Sequence, residues 1–291
     1  MEIIIATRKS LLAQVQADMV GKMLEKYPDR SYKKLLVVTE GDKRLDVTLD
    51  KIGGKGVFTK EVELALLEKK ADIAVHSIKD VPYKLGDEFE IIAVPKREDP
   101  RDVFVSNVGL HFEELRKGAR IGTSSIRRAS LLKEMRPDLE IVSIRGNLQT
   151  RFKRMQEQNL DGMVLASAGI KRLGMEDKIT DYFDPMKFLP AIGQGALGIE
   201  CLKSNENKEI YKEINDTDTR IRVDAERSFM RALNGDCHTL IGAYSKLEGN
   251  TLYLIGTYMI DGKIIKKDIS GDKENYLELG SELGNRILRG V

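Results

Sequence analysis

The residues best able to do chemistry fall between Gly122 and Arg154, in the run GTSSIRRASLLKEMRPDLEIVSIRGNLQTRFKR. Their spacing predicts two strand-to-helix junctions in succession. Arg120 to Gly122 ends a short strand, Thr123, Ser124 and Ser125 offer helix-capping hydroxyls, and Arg127 and Arg128 sit in the first helical turn. Glu140 to Ile144 makes the next strand, followed by Arg145-Gly146-Asn147 and a helix carrying Arg151 and Arg154. A helix start is positive and ordinarily favours Asp or Glu. Arginines placed there cost stability unless an anion arrives to use both the dipole and the guanidinium. In an α/β layout both junctions fall at the carboxyl edge of one parallel sheet, where open sheets bind ligands. The chemistry expected is recognition of a molecule bearing several carboxylates or phosphates; the alternative is a solvated basic helix face.

Other groups invite weaker readings. Thr7-Arg8-Lys9-Ser10 is another strand-end turn with a cation at a helix start. His76-Ser77-Ile78-Lys79-Asp80-Val81-Pro82 puts an Asp beside a Lys at a strand end, ahead of a rigid turn; His76 itself reads as a satisfied core histidine. Glu40 to Gly56 is polar and glycine-rich, ending Gly53-Gly54-Lys55-Gly56, without the spacing of a Walker phosphate loop. It reads as a lid or an ordinary surface loop. Gly193-Gln194-Gly195-Ala196-Leu197-Gly198 spells the dinucleotide fingerprint, but it precedes a strand instead of following one, which argues against NAD. Cys201 continues an apolar strand and reads as core, whereas Cys237 lies in a Gly-Asp turn, where a thiol invites a reactive reading. A zinc site with His238 is not expected, because no further ligands stand at useful spacing.

The elements that must position these groups follow from periodicity. Glu2 to Ala6 is a buried strand, and Leu11, Val15, Met19, Met23 and Tyr27 recur every four residues along the helix after it. Strands are expected at Leu35 to Val38, Asp72 to Val75, Gly162 to Ala166 and Ala196 to Cys201, with helices from Thr59 to Lys69 and from Ser167 through Lys171 and Arg172. Two linkers, Pro95 to Arg101 and Asp184 to Pro190, suggest that the first lobe recovers a strand after the second is finished. Such a bilobal form with a double hinge places its cleft between the lobes. A third, α+β unit begins after Asp216: a helix from Asp218 to Leu233, strands near 239–245, 251–258 and 263–269, and a helix with Tyr276, Leu279, Leu283 and Ile287 on one face. The domains expected are therefore 1–96 with 191–214, 101–189, and 217–291.

Composition narrows the classes. The chain has 291 residues, enough for two or three domains. Its net charge is +2, with a surplus of four basic residues between 101 and 189, too small for a generic nucleic-acid surface. Two cysteines imply no disulfide framework. The chain opens on a strand without a signal-peptide pattern, and no apolar run approaches the ~20 residues of a membrane span. The cytoplasm is the expected compartment.

Taken together, the segments resemble the hydroxymethylbilane synthase (porphobilinogen deaminase) family essentially end to end. The resemblance is carried by ATRKS (6–10), GGKGVFTKE (53–61), AVHSIKDVP (74–82), REDPRDVFVS (97–106), GTSSIRR (122–128), RGNLQTR (145–151), ASAGIKRLG (166–174), LPAIGQGALGIE (189–200) and the Cys237 turn. It implies two binding-protein-like α/β domains joined by a double hinge and a smaller C-terminal α+β domain, and nothing in the sequence demands more than a monomer. It also implies a dipyrromethane cofactor joined to Cys237 by a thioether, and the addition of four porphobilinogen units one after another. Each pyrrole brings an acetate and a propionate, which suits the bidentate, permanently charged guanidinium. By resemblance, Lys79, Asp80, Thr123, Ser124, Arg127, Arg128, Arg145 and Gly146 hold the cofactor, and Arg8, Ser10, Lys55, Ser125, Arg151, Arg172 and Gln194 bind substrate. Asp80 is the implied catalytic carboxylate: it stabilises the azafulvene cation left by loss of ammonia and aids proton transfer. No metal is implied. The sequence departs from the family around the cysteine, with Asp236 before it, His238 after it and Leu240 where a Pro is usual. A neighbouring carboxylate disfavours thiolate and a protonated His238 favours it, so attachment is expected to keep an altered pH dependence. The rival readings are a non-catalytic bilobal module for polycarboxylates and, further off, an RNA-binding protein.

Overall fold

Alternation along the first strand explains the first sheet. In β1 (Glu2–Arg8) Ile3 and Ile5 point to one side and Ile4 and Ala6 to the other, and both sides are covered, as the apolar run of a central strand requires. The computed structural model describes residues 1–39, 59–235 and 240–290. The expected lid with Lys55, and Cys237 with its neighbours Asp236 and His238, lie outside the described residues.

The chain divides into two compact units, Met1–Glu98 with Ala196–Val223, and Asp99–Gly195 with Asp224–Val291. In the first, β1 is followed by α1 (Leu11–Leu24), β2 (Ser31–Val37), α2 (Lys60–Leu67), β3 (Ile73–Ser77), a 3-10 turn (Ile78–Asp80) and β4 (Phe89–Ala93). The unit is completed by β10 (Leu197–Leu202) and α6 (Lys208–Lys212). The strand order is β2-β1-β3-β10-β4. One face packs Ile3, Ile5, Ile73 and Val75 on Ala17, Val20 and Leu24 of α1; the other packs Ala6 and Ala74 on Val62, Ala65 and Leu66 of α2. The expected returning strand is β10, and it lies between β3 and β4.

The second unit repeats the plan with β5 (Asp102–Ser106), β6 (Arg120–Gly122), α3 (Ile126–Met135), β7 (Glu140–Val142), α4 (Leu148–Glu157), β8 (Gly162–Ala166), α5 (Ser167–Arg172) and β9 (Asp181–Tyr182), in the order β7-β6-β8-β5-β9. The sheets are mixed, and the two arginine junctions follow the parallel neighbours β6 and β7. β1, β2 and β3 run parallel, but β10 is antiparallel to β3 and β4; β6, β7 and β8 run parallel, but β5 is antiparallel to β8. A strand that enters from a linker and not over a βα crossover is free to run against its neighbours. A second difference concerns His76, which lies inside β3 and not after it.

α7 (Thr217–Ala232) leads to an antiparallel meander of β11 (Ile241–Glu248), β12 (Thr251–Ile260) and β13 (Lys263–Asp272), closed by α8 (Tyr276–Leu288). The helices cross closely because Gly280 has no side chain: a Cβ there would stand 2.3 Å from the Ala225 carbonyl oxygen and 2.8 Å from Ser228 Cβ. Gly280→Ala should therefore destabilise the protein by about 1–3 kcal/mol through overpacking, read as a lower urea midpoint at unchanged slope.

Candidate active site

Three elements of the first unit converge on one polar cavity. Arg8 ends β1, Ser10 caps α1 by accepting a hydrogen bond from the Ala13 backbone N–H at 3.3 Å, and the segment after β3 turns at once into the 3-10 helix that ends on Asp80. Arg8, Ser10, Gln16, Thr59, His76, Ser77 and Asp80 line the cavity. Gln16 Nε2 donates to Ser77 Oγ at 2.9 Å, and the Ile78 N–H donates to the Ala196 carbonyl at 3.0 Å, which ties the Asp80 turn to the start of β10. Asp80 is exposed and Lys79 half-buried. His76 is buried, and its Nε2 lies 2.9 Å from Glu200 Oε2.

The second unit carries the arginines. Ser125 caps α3 by accepting from the Arg128 N–H at 3.4 Å, and Thr123 Oγ1 accepts from the Ser125 N–H at 3.2 Å. These caps spend the hydroxyls that the sequence offered on the local turn, while Ser124 is exposed. Arg127 and Arg128 are not on a solvated face: they are 5% and 6% exposed. Both close on Asp102, which is fully buried. Arg127 Nη1 donates to Oδ2 at 2.7 Å, and Arg128 donates to Oδ1 from Nε at 2.9 Å and from Nη2 at 2.7 Å. Gln194 Nε2 adds a bond to the same Oδ1 at 3.1 Å. Burial alone would raise the Asp102 pKa; Arg127 and then Arg128 outweigh it and bring it down to about 2. The anion that the helix start calls for is thus supplied in part by the chain itself. Sequence reasoning missed Asp102. Its signal was a carboxylate opening the buried strand Val103-Phe104-Val105, where an unpaired charge is not tolerated.

The second junction is built differently. Asn147 caps α4, its Oδ1 accepting from the Thr150 N–H at 2.9 Å, and Gly146 has a φ of 115°, with Thr150 Cγ2 2.7 Å from where a Cβ would stand. Only glycine suits that turn. Arg151 Nε donates to the Gly146 carbonyl at 2.9 Å and Arg154 Nη1 to the Arg145 carbonyl at 3.0 Å. Arg145 differs from these: its Nη1 is buried and has no hydrogen-bond partner among the described residues. Because β6 and β7 are parallel neighbours, both junctions stand at one sheet edge, as expected. Arg172 Nη2 donates to the Gly195 carbonyl at 2.6 Å.

The C-terminal sheet reaches the same region of the second unit. Glu226 of α7 is fully buried; its carboxylate accepts from the Gly193 N–H at 2.8 Å and from Ser245 Oγ at 2.6 Å. The Ala243 N–H donates to the Pro190 carbonyl at 3.0 Å, and Arg127 Nη1 donates to the Leu189 carbonyl at 2.6 Å. Sequence reasoning also missed Glu226, whose partners come from distant segments. Cys201 is fully buried and its thiol is pushed up to about 12, first by burial and then by Glu90, so it is core, as expected. Among the described residues there is no cluster of three or more His, Cys, Asp or Glu able to hold a metal, and no helix long and apolar enough to cross a membrane.

The arrangement is one carboxylate in a polar cavity of one unit and a set of guanidinium donors at a sheet edge of the other. Comparison with known proteins gives it a context. Residues 3–210 match the family model described as porphobilinogen deaminase, dipyromethane cofactor binding domain, and residues 220–289 match the porphobilinogen deaminase C-terminal domain. The chain is 62% identical over 288 residues to the porphobilinogen deaminase of Clostridium perfringens strain SM101, covering 99% of each, and 61% identical over 284 residues to that of Clostridium beijerinckii, covering 98% of each. A solved periplasmic substrate-binding protein of an ABC transporter from Coxiella burnetii is similar at a TM-score of 0.47 and 12% identity, over 73% of this chain and 89% of that one. The resemblance expected from the motifs holds along almost the whole sequence, and the chain belongs to the porphobilinogen deaminase family.

Proposed function

We propose that this protein is a hydroxymethylbilane synthase, a transferase that condenses four porphobilinogen molecules with loss of ammonia on a dipyrromethane cofactor held by Cys237. The convergence of the Arg8–Ser10 turn with Asp80, 70 residues further along the chain, on one cavity supports this reading best. The cofactor, when bound, supplies a nucleophilic pyrrole α-carbon on which chain growth starts. Its carboxylates need cationic donors in a sheltered place, and Arg145 Nη1 is a buried donor with no partner among the described residues. Lys79, Asp80, Thr123, Ser124, Arg127, Arg128, Arg145 and Gly146 would hold the cofactor. Arg8, Ser10, Lys55, Ser125, Arg151, Arg172 and Gln194 would hold porphobilinogen and the polypyrrole intermediates. Arg127 and Arg128 bring two positive charges against one on Asp102, so one charge remains for a ligand carboxylate.

Asp80 acts on the reacting unit. A carboxylate beside the pyrrole nitrogen stabilises the cation left when ammonia departs. The three-domain division at 1–96 with 191–214, 101–189 and 217–291, the monomeric state and residence in the cytoplasm belong to the same proposal, with neither nucleic acid nor membrane as partner. A non-catalytic polycarboxylate-binding module is not favoured, since it gives Asp80 and Cys237 no task.

The test is incubation with porphobilinogen, following ammonia release and the absorbance of uroporphyrin after acid oxidation; absence of both would defeat the reading. Cys237→Ala tests the attachment. Cys201 is too buried and too weakly acidic to substitute, so the intact mass should show a dipyrromethane adduct on the wild type and none on the variant. An active wild type without the adduct would sink the assignment.

A further inference from the structure

The proposed reaction releases one proton for every unit added, and the cavity of the first unit holds a group suited to take it. His76 is 7% exposed and lines the cavity with Arg8, Ser10 and Asp80. Its Nε2 stands 2.9 Å from Glu200 Oε2. Glu200 is fully buried, and its other oxygen, Oε1, has no hydrogen-bond partner among the described residues. The pair is set by register: Gly198 lies opposite His76 and Glu200 opposite Ala74, so His76 and Glu200 are diagonal neighbours on the sheet face that α2 covers. From α2 the pair is faced by Glu63, whose carboxyl is pushed up by burial and then by Glu200. Arg8 and Asp80 share the cavity.

A histidine needed only to fill the core would not call for this arrangement. A fully buried carboxylate with one oxygen unsatisfied costs stability, and such groups persist where they serve chemistry. Glu200 is also well placed to choose the tautomer. By accepting from Nε2–H it leaves Nδ1 with its lone pair, and Nδ1 has no partner among the described residues.

We propose that His76 is a second catalytic group of this site, the base that accepts the proton displaced from a pyrrole α-carbon, and that Glu200 positions it. The inference rests on the synthase reading above. In each addition the C–N bond of the incoming ammonium breaks, and its electron pair leaves with ammonia. A C–C bond forms between the incoming methylene and the α-carbon. The C–H bond at that carbon then breaks, its pair returns to the ring, and the proton goes to His76 Nδ1. The Glu200 carboxylate stabilises the imidazolium until the proton passes to water. Nothing is oxidised or reduced. Asp80 keeps the cation, and His76 takes the proton.

The experiment uses the full-length enzyme, His76→Gln and Glu200→Gln, and porphobilinogen deuterated at its free α-carbon. His76→Gln should lower kcat about 10²-fold, leave KM nearly unchanged and raise the primary isotope effect above that of the wild type, because C–H cleavage has become slower. Glu200→Gln should move kcat and the isotope effect the same way, less far. Nitrogen-15 NMR of the labelled histidines should find the His76 proton on Nε2 in the wild type and spread over both nitrogens in Glu200→Gln. Should His76→Gln fail to fold, Glu200→Gln carries both readouts. Isotope effects unaltered in the folded variants while the wild type turns over normally, or a wild-type ring with its proton on Nδ1, would overturn the assignment alone. A wild type that releases no ammonia would overturn the synthase reading and this assignment with it.

Discussion

Asp80→Ala is expected to fold normally, keep its dipyrromethane adduct and lose between about 10²-fold and 10⁴-fold in kcat, the range in which a positioned acid–base or charge-stabilising group contributes. The structural side of this expectation follows from position. Asp80 is exposed at the end of a one-turn 3-10 helix whose backbone is held by Ile78 through Ala196 and by Val81 through Ile78. A substitution on such a surface changes stability by no more than about 0.5 kcal/mol. The chemical side is that, among the described residues that line the cavity, Asp80 is the only carboxylate: Glu200 faces His76, and Arg8 is positive. Asp80→Glu keeps the charge and shifts it by one methylene, so it should retain more turnover than Asp80→Ala. Ammonia release, adduct mass and a thermal melt measured together decide the matter. Turnover within tenfold of wild type in a correctly loaded Asp80→Ala would remove Asp80 from the reaction. A receptor for polycarboxylates would instead bind its ligand equally well in the wild type and in Asp80→Ala.

The second large effect is on stability. Asp102→Ala should cost about 3–5 kcal/mol, because it leaves two buried guanidiniums without their counterion. For a chain of this size that corresponds to a fall in Tm of very roughly 6–20 °C. Asp102→Asn should lie between Ala and wild type, since it keeps the shape and one acceptor but loses the charge. The sign of the pH dependence follows from the direction of the shift. The Asp102 pKa falls from 3.8 unfolded to about 2 folded, so the pair's contribution is fully present above pH 4 and is lost as pH drops through 2. The difference amounts to about 2 kcal/mol. Unfolding free energies of wild type and Asp102→Asn, taken from urea titrations, should therefore converge by about 2 kcal/mol as pH falls from 5 to 2. Free energies that stay parallel would show that Asp102 carries no charge that matters to folding.

Much of the molecule is legible in its residue order. Ser125 and Asn147 are N-caps where the capping residues announced junctions, and β6 and β7 lie side by side so that both junctions share an edge. Cys201 is inert core, and the last helix buries Leu283 and Ile287 on the face that its spacing predicted. These features are local. A cap needs its acceptor within three residues, and an amphipathic face repeats within four, so the information lies in a short window.

The rest was decided by the tertiary structure, because it depends on pairs brought together from far apart. Asp102 stands 25 and 26 residues from the arginines that it holds, Glu226 33 residues from the Gly193 N–H, and Glu200 124 residues from His76. No pattern in a window reveals which carboxylate a buried cation will find, since that follows from strand order and register. The direction of β10 and β5 was hidden for the same reason, since it is set by how the chain enters each sheet. The amino-acid order alone settled where charge is displayed and which elements display it. Folding alone settled which of those charges are cancelled from within, since desolvation forces every buried ion to take a partner and topology decides which partner is in reach.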